Sequence, residues 1–477
     1  METLLKNIKS ITLIILLINC LSCESYLETD LPPGKFYSED IFDSDKTTAA
    51  AVNNLFKSLS FNGTLSLLNI ETAAYTDEFT SDNSRRFEQY FLDQIPTSTS
   101  VPEAYADLYQ VIFRSNLIID GVSNTTAKLN NKDQYLGESY FVRAYCLYNL
   151  TNLYGDIAIP LAPEFEANNT LSRAPQSEVY NQIIIDLKEA IELLPTSYST
   201  SSGEETFSKS RPNKTAAKAL LAKVYLYTED WKLASDLCTE VLAEVSNPSL
   251  VSLDQVFLAD SDAVIWGLIP DISEYSWRTY VSDIYVYLDW YSEYFPIEDS
   301  FYASHGYMSN SLISAFEEND QRLSEWTFEF SSYGTIYHEP YKYKSRDSGV
   351  ENLAVLRMAD IYLTRAEALA MQDNYPSAIA DINVVRERAG LIATTANLDK
   401  ASVLDAVLSE RRFEFFNELS NRFFDLKRLG KIDEVMNAEV VIKGEDASWS
   451  SYKANWPIAL DEIRANPNLK QTVGYDN

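Results

Sequence analysis

The sequence predicts a mostly α-helical protein of paired helices that is interrupted by one long aromatic-rich segment. Apolar residues recur with the 3.6-residue period of an amphipathic helix in nine windows of the 477-residue chain. Two helix pairs share the spacing of their small and aromatic residues, which is typical of a repeat. Between these two pairs the helical period is lost, while Tyr, Trp and Phe become frequent. These observations favour a helical core with a long irregular insert.

The N-terminus has the features of an export signal. A basic segment precedes a short apolar stretch, residues 11–18, which is well below the ~20 residues that span a bilayer. We therefore expect residues 1–22 to be a signal peptide. Cys23 directly follows Ser22, as in a bacterial lipobox, and would become the lipid-bearing first residue of the mature chain. An ordinary secreted protein with a cysteine near its cleavage point is the alternative.

The predicted helices rest on apolar stripes that have start or stop residues near their ends. Asn213 can cap the helix that follows Pro212, and Pro195 ends the preceding run. The nine windows are residues 45–60, 102–122, 132–154, 176–194, 213–228, 231–245, 351–372, 376–389 and 399–418.

The two repeat-like pairs place a small residue on one helix and a second small residue twelve positions later. An aromatic residue stands three positions before the second small one in each copy. Small side chains let two helices approach closely, and the ring fills the corner between them. This is the tetratricopeptide pattern, although alanine is common enough that two unrelated helical hairpins are an alternative. The residues are Leu221, Ala222, Tyr225, Trp231 and Ala234 in the first copy and Ala366, Tyr375 and Ala378 in the second.

The segment between the two copies is of a different kind. Residues 246–350 have little helical period apart from about 309–318, and their aromatic content argues against disorder. A second irregular stretch runs from about 71 to 99. Long non-repetitive segments of a folded protein commonly carry its function.

Charge and composition exclude several classes of function. The chain has 39 Lys plus Arg against 70 Asp plus Glu, and its formal net charge of −31 disfavours binding to nucleic acid. His305 and His338 are the only histidines, and the sequence has no G-x-S-x-G, H-E-x-x-H or P-loop motif. We expect no catalysis and no cofactor. Calcium binding by loop carboxylates is compatible with the sequence, but the sequence does not predict it.

Two cysteines remain in the body of the chain. Cys146 and Cys238 both lie within strongly apolar helical patterns. A chain of this length does not need a disulfide scaffold, so we expect two buried free thiols rather than a bridge.

Short blocks in a fixed order connect the chain to one known family. The blocks are Leu136-Gly137-Glu138, Phe141-Val142-Arg143-Ala144, Tyr154-Gly155-Asp156, Arg357-Met358-Ala359-Asp360-Ile361-Tyr362-Leu363, Glu410-Arg411-Arg412, Arg422-Phe423-Phe424-Asp425-Leu426-Lys427-Arg428 and Trp456-Pro457-Ile458. Each block is weak alone, but together, from Cys23 to the end, they resemble the SusD/RagB family of outer-membrane nutrient-binding lipoproteins of Bacteroidota. One local departure is residues 417–421, where the family more often has a short Glu-Gly turn.

The resemblance implies a single SusD-like domain after the signal peptide. This fold is mostly α, with four tetratricopeptide-like helix pairs and a loop-rich subdomain packed on one face. The expected ranges are 23–477 for the domain, about 40–245 and 351–437 for the helical-repeat core, about 246–350 for the aromatic-rich insert, and 438–477 for the C-terminal tail.

The resemblance also implies a function without catalysis. Such a protein is lipid-anchored through Cys23 in the outer membrane, facing outwards. It captures a glycan or oligosaccharide and hands it to a TonB-dependent SusC-like porin. The charged signature residues Glu410, Arg411, Arg412 and Asp425 are then expected to form buried ion pairs or helix caps.

The candidate ligand-binding residues follow from the chemistry of sugars. A pyranose has one face rich in C–H groups that stacks on a flat aromatic ring, while its hydroxyls need polar partners. In the insert we expect rings from Trp277, Tyr280, Tyr285 and Trp290 to act as platforms. In the first irregular stretch, Tyr75 and Asp77 lie where the family often has binding residues, and Asp77 would accept hydroxyl hydrogen bonds. The alternative for each aromatic is packing of the insert on the helices.

A second non-enzymatic function is compatible with the same pattern. Tetratricopeptide arrays usually bind peptides in a concave groove. Under this alternative the protein is a scaffold that binds peptides or proteins at the outer membrane, and the aromatic insert only packs.

Overall fold

Helices dominate the residues that the computed structural model describes, which are 41–60, 64–80, 87–97, 103–245, 247–269, 306–332, 334–345, 349–394 and 399–475. The helices of the first half are α1 (Asp45–Ser60), α2 (Thr64–Tyr75), α3 (Glu88–Phe91), α4 (Glu103–Asn124), α5 (Lys132–Tyr154), α6 (Phe165–Asn168), α7 (Gln176–Leu193), α8 (Lys214–Tyr227) and α9 (Trp231–Glu244). Those of the second half are α10 (Asn310–Ile313), α11 (Gln321–Glu325), α12 (Met358–Met371), α13 (Tyr375–Arg388), α14 (Lys400–Glu414), α15 (Asn421–Arg428), α16 (Ile432–Lys443) and α17 (Leu460–Ala465).

The long helices form an array in which each packs on the next. The order is α1, α4, α5, α7, α8, α9, α12, α13 and α14. Taken two by two, the first eight give the four helix pairs that were predicted. Each of the nine predicted windows overlaps one of these helices. The side chain of Asn213 caps α8 by accepting a hydrogen bond from the backbone N–H of Ala216 at 2.9 Å.

The small residues of the repeat-like spacing lie where the helices meet. Ala222, Ala234, Ala366 and Ala378 have no exposed surface. Trp231 and Tyr375, at the start of α9 and α13, pack partly buried against the same core. The predicted close approach of paired helices at these alanines is confirmed.

Six short strands accompany the helices in the described parts of the chain. They are β1 (Phe79–Thr80), β2 (Val264–Leu268), β3 (Tyr307–Met308), β4 (Thr327–Ser332), β5 (Thr335–Pro340) and β6 (Leu353–Arg357). They pair antiparallel as β1 with β3, β2 with β6 and β4 with β5. The described part of the predicted irregular segment therefore contains regular strands, which the search for helical period did not detect.

The predicted helix over residues 351–372 begins later than expected. Its first residues form β6, which is buried along its whole length against β2, and α12 starts only at Met358. A short continuous apolar run looks the same in a buried strand as in a buried helix, so periodicity could not separate the two.

The predicted helix over residues 399–418 ends early, at Glu414. Asn417, Leu419 and Ser420 have φ of 54°, 46° and 61°, which a right-handed helix cannot contain. This turn redirects the chain into α15, whose residues are mostly buried.

The sequence analysis did not predict helix α2. The last residues of this helix lie in the stretch 71–99, which was assigned as irregular.

Both body cysteines are buried free thiols, as predicted. Burial raises the pKa of each thiol well above its usual value, so both stay protonated and unreactive at neutral pH. Within the described ranges, none of the helices combines the length and the apolar character needed to span a bilayer.

Candidate functional site

A short antiparallel pairing joins the two segments that were predicted to carry function. Phe79 pairs with Met308 and Thr80 with Tyr307, so the first irregular stretch lies against the return of the long insert. Gly306 enters this join with φ of 132°, and a Cβ there would lie 2.2 Å from the carbonyl oxygen of Thr80. Only glycine fits such a close backbone approach. Gly306 and Thr80, at which two of the described segments begin and end, therefore lie in close contact.

Aromatic rings lie beside this join. Phe330 and Tyr337, which face each other across β4 and β5, stack with ring centroids 5.4 Å apart, and Tyr307 meets Tyr337 edge-on at 4.7 Å. Tyr307 and Tyr337 are partly exposed, whereas Phe330 is buried. We call Tyr307, Phe330 and Tyr337 the aromatic cluster. Two of the three rings are thus partly exposed beside the β1–β3 join.

The aromatic cluster was only partly visible in the sequence. Tyr307 belongs to the predicted aromatic insert, but Phe330 and Tyr337 were not selected as site residues. The available signal was the alternation of Phe328 with Phe330 and of Tyr337 with Glu339, which has the two-residue period of a strand. The four platform candidates Trp277, Tyr280, Tyr285 and Trp290 lie outside the described residues, as does Cys23.

Asp77 lies directly below the join but is not an open hydrogen-bond acceptor. The residue is 3 % exposed, and its carboxylate forms ion pairs with Arg422 at 2.7 Å and with Arg412 at 2.8 Å. Burial alone would raise the pKa of Asp77, but the two guanidinium groups lower it to about 2. The backbone carbonyl of Asp77 also accepts a hydrogen bond from the hydroxyl of Ser309 at 2.5 Å. The expectation that Asp77 binds ligand hydroxyls has no support in this geometry, because its oxygens serve the fold.

Tyr75 is likewise an interior residue. It has no exposed surface and its ring contacts Phe423, Trp449 and Trp456 edge-on at 5.6–5.9 Å. Its hydroxyl donates a hydrogen bond to the carbonyl of Lys453 at 3.0 Å. The structure therefore corrects the sequence-based role of Tyr75, which ties the first stretch to the C-terminal tail rather than facing a ligand.

A second buried carboxyl group, that of Glu78, lies directly before β1 in the chain. Glu78 is 5 % exposed, and burial together with the neighbouring charge of Asp77 raises the pKa of Glu78 to about 8. One oxygen lies 3.4 Å from the backbone N–H of Asn417, while the other has no hydrogen-bond partner among the described residues. At pH 7 the carboxyl is thus mostly protonated, which avoids a second buried negative charge beside Asp77. In the described ranges no three His, Cys, Asp or Glu side chains converge so as to hold a metal ion.

The charged signature residues are structural, as predicted. Arg411 forms ion pairs with Asp360 at 2.8 Å and with Asp425 at 2.6 Å, and all three side chains are at least nine-tenths buried. Glu410 pairs with Arg322 at 2.6 Å. The pairs of Arg411 connect α12, α14 and α15.

Comparison of this chain with known protein families gives two matches. Residues 29–226 match the family model described as "Starch-binding associating with outer membrane", and residues 334–475 match the "SusD family" model. The two matches together cover both halves of the helical array.

Similar proteins extend over nearly the whole chain. SusD-like protein P25 of Formosa agariphila is 24% identical, and the match covers 98% of each chain. A SusD-like carbohydrate binding protein from Bacteroides vulgatus has a TM-score of 0.73 at 20% identity, covering 90% of this chain and 98% of that one. A laminarin binding SusD-like protein has a TM-score of 0.70 at 22% identity, covering 90% and 99%. The matched segments, their order and the shared fold show that this chain belongs to the SusD/RagB family.

Proposed function

We propose that this protein captures a glycan or oligosaccharide at the face formed by the join and the aromatic cluster. The observation that carries the proposal is the pairing of β1 with β3, since it brings the first stretch against Tyr307 of the insert and thus beside the aromatic cluster. Family members that resemble this chain are described as binding starch, laminarin or carbohydrate, which supports a saccharide as the ligand.

The chemistry of a saccharide suits this edge. The C–H face of a sugar ring stacks on flat aromatic surfaces, where apolar contact contributes free energy and a rigid ring loses little entropy. Trp277, Tyr280, Tyr285 and Trp290 are the platforms that we propose in the insert. Asp77 and Tyr75 act beneath this face as positioning residues, because both are held by the fold.

Removing two of the proposed platforms tests the function. The W277A/W290A variant is expected to lose at least about a hundredfold in affinity for its glycan, because each ring contributes about 1.5–3 kcal/mol when buried. Candidate glycans come from an array screen of the purified wild type, and affinities from calorimetric titration. The control F113A removes a half-exposed ring from α4, far along the chain from the insert, and should bind normally. Wild-type affinity of the double variant would refute the proposed platforms.

We further propose that the chain is anchored by lipid on Cys23 in the outer membrane, facing outwards, and delivers its ligand to a TonB-dependent SusC-like porin without catalysis. The lipobox-like Leu21-Ser22-Cys23 and the outer-membrane description of the matching family support this placement. Co-purification of a porin from solubilised outer membranes tests the delivery step, and unchanged glycan length after long incubation tests the lack of catalysis.

Replacing Cys23 tests the anchor directly. The C23A variant is expected to leave the membrane fraction and appear as soluble protein, because the thiol is the attachment point for the lipid. Fractionation with immunoblotting measures this, and the C146A variant, which alters a buried thiol, should stay with the membrane. Membrane association of C23A equal to that of wild type would contradict a lipid on Cys23.

A further inference from the structure

Two consecutive buried carboxyl groups lie next to the β1–β3 join, and their charges are compensated unequally. Asp77 pairs with two guanidinium groups, those of Arg422 at 2.7 Å and Arg412 at 2.8 Å. One oxygen of Glu78 lies 3.4 Å from the backbone N–H of Asn417, and the other has no hydrogen-bond partner in the ranges that the structure describes. A negative charge on Glu78 would therefore be poorly compensated while the side chains keep this arrangement.

Two neighbours of these carboxyl groups also have unused hydrogen-bonding atoms. Within the described parts of the chain, neither polar atom of the Asn417 amide has a partner, and the Nε of Arg412 has none. Few buried polar groups of a folded protein lack a partner, so these atoms call for a physical reason. A protonated carboxyl can donate to an amide oxygen such as that of Asn417, whereas an ionised one can only accept, as from the guanidinium of Arg412. Each form of Glu78 thus has its own partner among these neighbours.

Arg412 connects this site to the other side of the join. Its guanidinium donates a hydrogen bond to the hydroxyl of Ser311, on α10, at 2.9 Å. The backbone N–H of Ser309 donates to the carbonyl of Glu78 at 2.9 Å, and the hydroxyl of Ser309 donates to the carbonyl of Asp77 at 2.5 Å. If Arg412 turned to Glu78, it would give up Ser311, and one of the bonds that continue the β1–β3 pairing into α10 would be lost.

The turn that carries Asn417 is strained. Asn417, Leu419 and Ser420 all have positive φ, which is unfavourable for residues that carry a Cβ. Such a conformation persists only while its surroundings hold it. The contact of Asn417 with Glu78 and the hydrogen bond from the N–H of Leu419 to the side chain of Asn69, at 2.5 Å, are parts of these surroundings. A change at Glu78 therefore acts on a segment that has strain to release.

Charged groups from several elements face these two carboxyl groups. They are Arg412 on α14, Arg422 on α15, Glu439 and Lys443 on α16, and Asp93 after α3, which pairs with Lys443 at 3.1 Å. Burial and the charge of Asp77 raise the pKa of Glu78 to about 8, although the two guanidinium groups act against this. The same guanidinium groups lower the pKa of Asp77 to about 2. Glu78 thus changes its charge near pH 8, while Asp77 stays ionised.

We propose that Glu78 is a proton-dependent switch of the β1–β3 join. When Glu78 is protonated, Arg412 stays on Asp77 and Ser311, and the join is closed. When Glu78 releases its proton to solvent, Arg412 pairs with Glu78, the bond to Ser311 is lost, and the join loosens together with the strained turn. This inference goes beyond the proposed function, because the switch needs no ligand.

The direction of the effect on stability follows from the proton balance. The pKa of Glu78 is about 8 in the folded chain, against an ordinary value of 4.5, so between these values the folded state binds the extra proton. Stability therefore falls as the pH rises from about 4.5 to 8. The E78Q variant keeps the shape of the protonated side chain and cannot ionise, so it should lack this fall.

Hydrogen exchange of wild type and E78Q, compared at each pH from about 6 to 9.5, tests the switch. Intrinsic exchange accelerates with pH equally in both proteins, so the ratio of their rates in peptides covering residues 77–80 and 307–313 isolates the opening of the join. We expect a ratio near one at about pH 6 and at least about fivefold faster exchange of the wild type at about pH 9.5, with a midpoint near 8. E434Q, which changes an exposed carboxylate, should behave as the wild type does.

Three results would overturn the switch. The first is a rate ratio that stays constant with pH. The second is E439Q, rather than E78Q, abolishing the pH dependence, because Glu439 would then be the titrating group. The third, which does not require E78Q to fold, comes from infrared difference spectra of the wild type between about pH 7 and 9.5. We expect them to show the loss of a protonated carboxyl group, and the lack of such a loss would contradict a proton on Glu78.

Discussion

Replacing Glu414 by glutamine is expected to destabilise the protein by about 3–5 kcal/mol, the usual effect of removing one partner from a buried ion network. The carboxylate has no exposed surface and pairs with Arg388 at 2.5 Å, Arg357 at 2.9 Å and Arg322 at 3.4 Å. E414Q would leave three buried guanidinium groups short of a negative charge. Urea unfolding of the purified domain measures the difference. A loss below about 1 kcal/mol would show that the network does not stabilise the fold.

The effect of E414Q should depend on pH. Burial alone would raise the pKa of Glu414, but the arginines lower it to about 2, against an ordinary value of 4.5. Its charge therefore stabilises the folded state fully above about pH 4.5, and this contribution is lost as the pH falls towards 2. The stability gap between wild type and E414Q should narrow over the same range. The control E434Q changes a carboxylate that is 76% exposed and 3.9 Å from Lys431, and should cost less than about 1 kcal/mol.

Replacing Trp456 by alanine is expected to cost about 3–5 kcal/mol, because it opens a large cavity in the core. The indole is fully buried and its ring centroid lies 5.3 Å from that of Tyr90, 5.7 Å from Tyr75 and 6.1 Å from Phe423. These contacts join the C-terminal tail to α2, α3 and α15. Since Tyr75 shares this cluster, the loss should also loosen the stretch that leads into the join. Urea unfolding gives the stability, and hydrogen exchange at residues 75–80 reports the loosening.

Two variants in the same tail distinguish packing from other effects. The indole N–H of Trp456 has no hydrogen-bond partner within the described residues, so W456F removes only volume and should be milder than W456A. V473A changes a side chain that is 79 % exposed and should alter stability by less than about 0.5 kcal/mol. Equal losses for W456A and V473A would contradict a central role for the tryptophan.

Most of the helical array could be predicted from the sequence because its signals are local. Periodic apolar residues, the Asn213 cap and the paired alanines at positions 222 and 234 depend only on neighbours along the chain. The charged blocks around Arg411 and Asp425 were assigned to the interior correctly, because the family resemblance gave them a structural role before any contact was known.

The strands and the contacts within the aromatic cluster could be assigned only from the tertiary structure. The run 353–357 reads equally well as buried helix or buried strand until β2 is placed beside it. The aromatic cluster depends on two pairings, of β1 with β3 and of β4 with β5, and the first joins positions more than two hundred residues apart. No local pattern encodes such a contact.

The sequence by itself determined the helix pairs, the buried thiols and the family, since each follows from periodicity, composition or the order of short blocks. Only the tertiary structure decided that Tyr75 and Asp77 face inwards. Phe423, Trp456 and Arg422 reach them from the far end of the chain, and burial depends on these distant partners. Only the tertiary structure likewise decided that Phe207 is 95 % exposed, since the exposed fraction of a ring depends on which distant residues pack on it.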